Sequence, residues 1–416
     1  PLLDDPSRAV RTEALAAMLS RCGFEAELHS GARLFALYSS ASREDRADAA
    51  RVLGAVGRGV LGLLRKLLAD PDLEVRRAAI RAVGAAAEIR LLPELMVSLE
   101  DPKLRPDAES ALAALGAPAI EPLASLLAAS GISRDVRLVV PRVLRRIRDP
   151  KSYHALARHL ADSDSRVRLR AASAMGALRR ETGLAAMPLS ALVSLVDSEI
   201  CAEERTRKGW ARARLQFPSA LLDEEMEVRR LGAVRRILRL LELRCDRAML
   251  RLVRESLGNP AKRSNAMEML DAALAPALRS RVMRFLDANE EDGSKEGDAS
   301  AESAVDFLIG QCRHPNPYIA LLALEALSRN PSKPALEVAR ELADHKEPLV
   351  REGAALLSSN RGGPTTEVPM YSTIEKILLL RSVPLFEKLT GEDLAPLARL
   401  AEVEIREPGD IVFREG

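Results

Sequence analysis

The residues most able to do chemistry in this 416-residue chain are five histidines, four cysteines and a lone tryptophan set among arginines. His154 and His159 lie five apart, too far round a helix for the i, i+4 pair that shares a metal on one face, and His29, His314 and His345 stand alone in sequence. Cys22, Cys201, Cys245 and Cys312 are scattered singly with no CxxC pair. That spacing argues against a zinc site and a disulfide framework, and for buried or half-buried free thiols in a reducing compartment. No GxSxG or P-loop stretch is present. The run Arg205-Thr206-Arg207-Lys208-Gly209-Trp210-Ala211-Arg212-Ala213-Arg214 joins an aromatic to basic residues, a combination that stacks and neutralises nucleic acid. Cys201-Ala202-Glu203-Glu204 before it and Asp223-Glu224-Glu225 after it balance the charge, so the reading is a helix with Trp210 covering a seam. Arg134 to Lys151 is the most basic run, with Arg142, Arg145 and Arg146 on one face, and it reads as a solvated face. The sequence therefore nominates no catalytic, cofactor-binding or metal-ligating residue, and the chain is expected not to be an enzyme.

The elements that hold these residues are copies of one stretch, Asp70-Pro71-Asp72-Leu73-Glu74-Val75-Arg76-Arg77-Ala78-Ala79-Ile80-Arg81-Ala82-Val83-Gly84. Asp70 suits a helix cap, Pro71, Asp72 and Glu74 suit the first turn, and Gly84 suits the stop. Val75, Ala79, Ala82 and Val83 fall on one small apolar face. One such helix buries too little surface to offset its ordering entropy, so it needs copies of itself. They are Asp5-Pro6-Ser7-Arg8-Ala9-Val10-Arg11, Asp162-Ser163-Asp164-Ser165-Arg166-Val167-Arg168 and, more loosely, Ser133-Arg134-Asp135-Val136-Arg137. Weaker copies start at Arg43, Asp101, Met226, Asn259, His314 and Pro348. Their arginines recur at roughly 31 residues or twice that, a helical-solenoid period.

The repeats resemble the HEAT-repeat family in its short bacterial form. The resemblance implies an all-α fold, a right-handed α-solenoid of about ten helix pairs, in which an Asp and an Arg of each second helix form a ladder between repeats. By position these are Asp70 with Arg76 and Asp162 with Arg168. An anion-binding row is the alternative use of those arginines. HEAT-type hydroxylases hold iron with His-Glu dipeptides, and none of the five histidines here is followed by Glu.

Composition agrees with stacked helices. Apolar residues make up 47% and aromatics 3%, so Leu, Ala, Val and Ile must build the core. Lys+Arg 62 against Asp+Glu 60 leaves a net charge of +2, which makes no case for a polyanion partner. No stretch reaches the roughly 18 uncharged apolar residues of a membrane helix, the nearest being Thr182 to Val196, which a proline interrupts.

Along the chain, residues 1–286 read as HEAT-like solenoid, with Gly31 to Tyr38, Gly57 to Leu68 and Pro118 to Ala129 as first helices of pairs and Leu221 to Leu243 as one long helix. In that long helix Val228, Leu231, Val234, Ile237, Leu238 and Leu241 are its expected apolar positions. Residues 287–303 are expected to be an acidic flexible insertion, 304–360 further helix pairs, and 361–372 a linker. In 373–416, Val383-Pro384-Leu385-Phe386 leads to a helix capped by Thr390 and Asp393, then Val403 to Arg406 and Ile411 to Arg414 alternate about Pro408-Gly409, as in one β-hairpin. This succession resembles the opening of a cyclic nucleotide-binding domain and implies an incomplete β-roll.

That family's ligand residues lie several strands further on, so the pocket is expected beyond Gly416, with no cofactor in this chain and cyclic AMP or cyclic GMP as ligand of the complete parent protein. The run Leu231 to Leu274 also resembles the cytoplasmic region of bacterial proteins that fuse a nucleotide-translocase-like membrane domain to HEAT repeats and a cyclic nucleotide-binding domain. With no Met at Pro1, the chain reads as a piece of such a protein. The expected function is a non-catalytic scaffold, cytoplasmic, making protein–protein or interdomain contacts coupled to a cyclic-nucleotide sensor. The alternative is the cytoplasmic regulatory region of a membrane transporter, with a HEAT-like nucleic-acid binder or bilin lyase-like enzyme behind it. Direct contact with a membrane is not expected.

Overall fold

The computed structural model describes residues 2–21, 24–57, 61–129, 131–287, 303–359 and 371–404. Among them every regular element is helical, which agrees with a HEAT-like solenoid. Of the expected hairpin, Ile405 onward lies outside the described residues, and Val403 and Glu404 are irregular. The expected acidic insertion and linker fall largely on residues 288–302 and 360–370, also outside.

The chain divides into two units, residues 1–195 with 238–251, and residues 196–237 with 252–416. In the first, helices α1 (Arg8–Arg21), α3 (Arg43–Val56), α5 (Leu73–Ala86), α7 (Arg105–Leu115), α9 (Arg134–Ile147) and α11 (Ser165–Thr182) form a row, each packed on the next. Helices α2 (Phe24–Tyr38), α4 (Leu61–Leu68), α6 (Leu92–Val97), α8 (Ile120–Ala128) and α10 (Pro150–Ala157) each pack against the member of the row that follows them. Val75, Ala79, Ala82 and Val83 are all buried, as their small-residue face requires.

The caps of α5 lie two and three residues beyond the expected Asp70 and Gly84. Asp72, not Asp70, is the cap of α5, accepting the amides of Glu74 at 2.8 Å and Val75 at 3.3 Å. Asp70 instead accepts the amide of Asp72 and shapes the turn before the helix. Gly84 does not stop α5, which runs on until Ala87 turns left-handed at φ 49°. Gly84 is needed for contact: a Cβ there would lie 2.8 Å from the Cα of Ala111 on α7. Gly54 on α3 has the same relation to Ala82 on α5. Two small residues facing each other let successive helices of the row touch backbone to backbone.

The second unit takes in most of α12 (Leu189–Gln216) and α13 (Ala220–Leu241) and the end of α14 (Arg247–Leu257). It continues through α15 (Pro260–Ala273), α16 (Pro276–Asp287), α17 (Ala304–Cys312), α18 (Pro317–Ser328), α19 (Lys333–Leu342), α20 (Pro348–Ser359), α21 (Thr373–Arg381) and α22 (Gly391–Leu400). One apolar cluster runs from Trp210 and Phe217 through Phe307, Leu321 and Leu357 to Ile377 and Leu394. Ser372 and Glu375 close a reciprocal capping box at the start of α21, and Thr390 caps α22 with its hydroxyl held by Asp393. Leu231, an expected apolar position of α13, is exposed, because the buried line of that helix passes through Leu222, Ala233, Ile237 and Leu240.

No single helix among the described residues is long and apolar enough to cross a membrane. Only the pair Arg105–Leu115 and Ala117–Ala128 reaches that composition, and it is bent by 117°.

Candidate functional site

The repeated arginine is a local clamp. Arg76 donates through Nη1 to the carbonyls of Asp70 at 2.9 Å and Pro71 at 3.1 Å, six and five residues back. Arg11, Arg46, Arg168 and Arg351 do the same to their own preceding loops. These carbonyls belong to the turn that joins two helices, and a charge-assisted bond satisfies them where no helix can.

The ladder between repeats is consequently not Asp70 with Arg76 or Asp162 with Arg168. Each of those arginines is engaged by the backbone of its own loop, and the carboxylate is reached from the preceding repeat. Arg46 donates to Asp70 at 2.8 and 3.1 Å, and Arg137 to Asp162 at 2.7 and 2.9 Å. Burial pushes the Asp70 carboxyl upward, but Arg46 and the Asp72 amide outweigh it, and its pKa settles below the usual carboxylate value. Asp164, almost fully buried, is held down in the same way by Arg134 at 2.7 Å. Arg77 and Arg81 share Asp107, again one repeat ahead. The arginine row is occupied by the protein itself.

His314 and His345 stand where Asp70 stands in its repeat. Their Nδ1 atoms accept the amides of Asn316 at 2.9 Å and Glu347 at 3.1 Å. His159 is buried and its pKa is lowered by that burial. Among the described residues no three His, Cys, Asp or Glu converge as a metal would require. Cys245 is half-buried and Cys312 buried, but Cys201 is exposed, contrary to expectation, because it lies on the outer side of α12, where Arg281 donates to its sulfur at 3.1 Å. Cys22 lies outside the described residues. Gly57, Gly59 and Gly62 have GxGxxG spacing, but the spacing follows helix α3 where a dinucleotide fingerprint needs a strand.

Trp210 is buried, its indole donating to Asp223 Oδ1 at 2.9 Å, so it faces the core and offers no stacking platform. The arginines of the basic run are also engaged: Arg142 with Glu109, Arg145 with Glu181 at 2.7 Å and Arg146 with the Ser110 hydroxyl at 3.2 Å. In the second unit, Glu199 and Glu203 sit one helical turn apart on α12 and face Arg229 and Arg236 of α13. The Glu199–Arg236 pair closes at 2.9 Å with both residues buried. Burial raises the pKa of Glu203 despite those arginines.

An open groove of about 1030 Å³ lies between α1 and α3. Ala9, Thr12, Ala16, Ala17 and Ala55 line it, with Arg8, Glu13, Glu44 and Arg51 at its rim. Eight residues after the repeated arginine, α3 and α5 carry Gly54 and Gly84, whereas α1 carries Leu19. Leu19 packs on a cluster containing Val52, so α1 lacks the glycine contact that closes α3 on α5. Asp48 anchors the rim: Arg8 donates to it at 2.9 Å, and Arg51 pairs with it from the other side. Glu44 is pulled down to about 2 by hydrogen bonds from Arg43 and Ser42. The position of Leu19 in the repeat was the signal for this groove, legible only once the register of the repeats is known.

Residues 32–116 match the family model for HEAT repeats. The match spans α3, α5 and α7, where the arginine clamp and the glycine contacts are most regular. HEAT repeats generally mediate protein–protein interactions. No curated protein matches the chain.

Proposed function

We propose that the chain is a non-catalytic helical scaffold that docks a protein partner along the row α1 to α11, coupled to a cyclic-nucleotide sensor that begins at α21. The observation that carries the scaffold reading is the groove between α1 and α3, an open channel with small walls and a charged rim beside a row in which Arg46, Arg76 and Arg77 are taken up by the protein's own carbonyls and carboxylates. Small walls admit a partner helix closely, and long helical arrays present extended surfaces for such contacts. The sensor reading rests on the order of elements at the end of the chain: α21, the Val383-Pro384-Leu385-Phe386 turn and the capped α22.

Cross-linking mass spectrometry in cells, comparing wild type with Ala17→Arg, tests the scaffold. Loss of a defined set of cross-links in the variant is the expected result, and identical sets would remove the groove from the reading. Calorimetric titration of the full-length protein with cyclic AMP and cyclic GMP tests the sensor; no heat with either would leave the scaffold alone.

A further inference from the structure

We propose that His314 and His345 make the turns before α18 and α20 sensitive to protons, so that mild acid loosens the second unit there while the turns of the first unit hold. Within the first unit, the residue that opens such a turn accepts the amide two residues on through an oxygen. Asp5 takes that of Ser7 at 2.8 Å, Ser40 that of Ser42 at 3.1 Å, Asp70 that of Asp72 at 2.9 Å and Asp162 that of Asp164 at 2.8 Å. In the second unit an imidazole makes the same bond, His314 Nδ1 with Asn316 at 2.9 Å and His345 Nδ1 with Glu347 at 3.1 Å. Asn316 is buried and caps α18, its side chain accepting the Tyr318 amide at 3.0 Å. Both histidines are half-buried.

Serine carries no charge and aspartate keeps its own above about pH 5, but imidazole changes charge between about pH 5 and pH 8. Nδ1 accepts a hydrogen bond only while it carries no proton; protonated, it is a donor facing another donor. A buried amide deprived of its acceptor weakens the turn it belongs to. The change of residue follows the ladder. Arg46 reaches Asp70 from 24 residues back and Arg137 reaches Asp162 from 25 back. At that distance before His345 stands buried Ala320, so no guanidinium comes from there and a neutral acceptor suits the turn. Beside His314, Arg313 pairs with Glu341 of α19 at 2.5 Å, Asp306 of α17 is held by the Ser303 hydroxyl at 2.6 Å, and Arg229 of α13 donates to Gln311 at 3.0 Å. Around His345 stand Asp344, Lys346 and Glu347 of its own loop and Arg351 of α20, which donates to the His345 carbonyl at 2.7 Å. Helix α18, packed on α20, brings only Glu325, which Arg329 holds at 2.7 Å; α19 adds Lys333, Glu337 and Arg340. The device is separate from the docking groove and rests on neither the scaffold nor the sensor reading.

Hydrogen exchange of the full chain at about pH 7.5 and about pH 5.5, with each amide's rate divided by its intrinsic rate at that pH, tests the proposal. In wild type, protection at Asn316 and Glu347 is expected to fall at least about fivefold between the two, with Asp72 in the first unit unchanged. The double variant His314→Asn/His345→Asn keeps an acceptor that does not titrate, and its protection at both amides should hold. His314→Asp/His345→Asp copies the turns of the first unit, should behave alike, and serves where the asparagine variant does not fold. The imidazole Cε1 resonances of His314 and His345, assigned from the variants, should move over the same pH interval. Constant protection in wild type, an equal fall in a folded variant, or a matching fall at Asp72 would overturn the proposal. So would complete protonation of both rings with the two amides still protected.

Discussion

Replacing Gly84 with alanine sets a local gain against a tertiary loss. In an isolated helix the change favours folding by about 1 kcal/mol, since glycine has more backbone freedom to lose. In the row of helices the added methyl would lie 2.8 Å from the Cα and 3.1 Å from the Cβ of Ala111. Carbon atoms rest at about 3.5 Å or more, so the overlap is roughly 0.7 Å. It falls on the backbone of α7, which has no rotamer to change. Overpacking of this kind costs roughly 1–3 kcal/mol, and contact with backbone favours the upper half of that range. The net expectation is a destabilisation of about 1–2 kcal/mol. Gly62 on α4 supplies the control, because a Cβ there meets nothing within 4 Å and only the propensity gain applies. Urea midpoints from circular dichroism should move down for Gly84→Ala and up for Gly62→Ala, and hydrogen exchange should show the loss in α5 and α7. If Gly84→Ala raised the midpoint as Gly62→Ala does, the close approach of α5 and α7 would be wrong.

The ladder aspartates Asp70, Asp107 and Asp164 have folded pKa values below their unfolded ones. Their stabilisation is therefore present above about pH 4 and is lost as pH falls from there through the folded values; the drop in denaturant midpoint below about pH 4 should shrink in Asp164→Asn. A double-mutant cycle of Arg46→Lys with Asp70→Asn should give a coupling of about 1 kcal/mol or more, since lysine has no fork to serve two carbonyls and a carboxylate at once; additive effects would contradict the shared guanidinium. Cys312, buried and pushed up to about 12, should resist a thiol reagent in the native protein while exposed Cys201 reacts, as peptide mapping would show. Asp223→Ala should strand the buried Trp210 indole N–H, shift the tryptophan emission and destabilise the second unit by about 1–3 kcal/mol; unchanged emission would count against the buried hydrogen bond.

The small buried face of the repeated helix and the caps at Ser372 and Thr390 were legible in the sequence. Caps, turns and the arginine clamp join residues two to six apart, and chain geometry alone brings such neighbours together. The partners of Asp70 and Asp162 were not legible in this way. Arg46 and Arg137 reach them from about one repeat away, and nothing in the local pattern says whether a guanidinium will turn to its own loop or across to the next helix. Gly84 looked like a stop signal because a glycine ending a small-residue run has two physical uses, and only the presence of Ala111 against it selects the second. The α1–α3 groove arises the same way. Its lining residues are distributed over two helices, and the register in which those helices stack, a property of the packed array, decides whether they face each other.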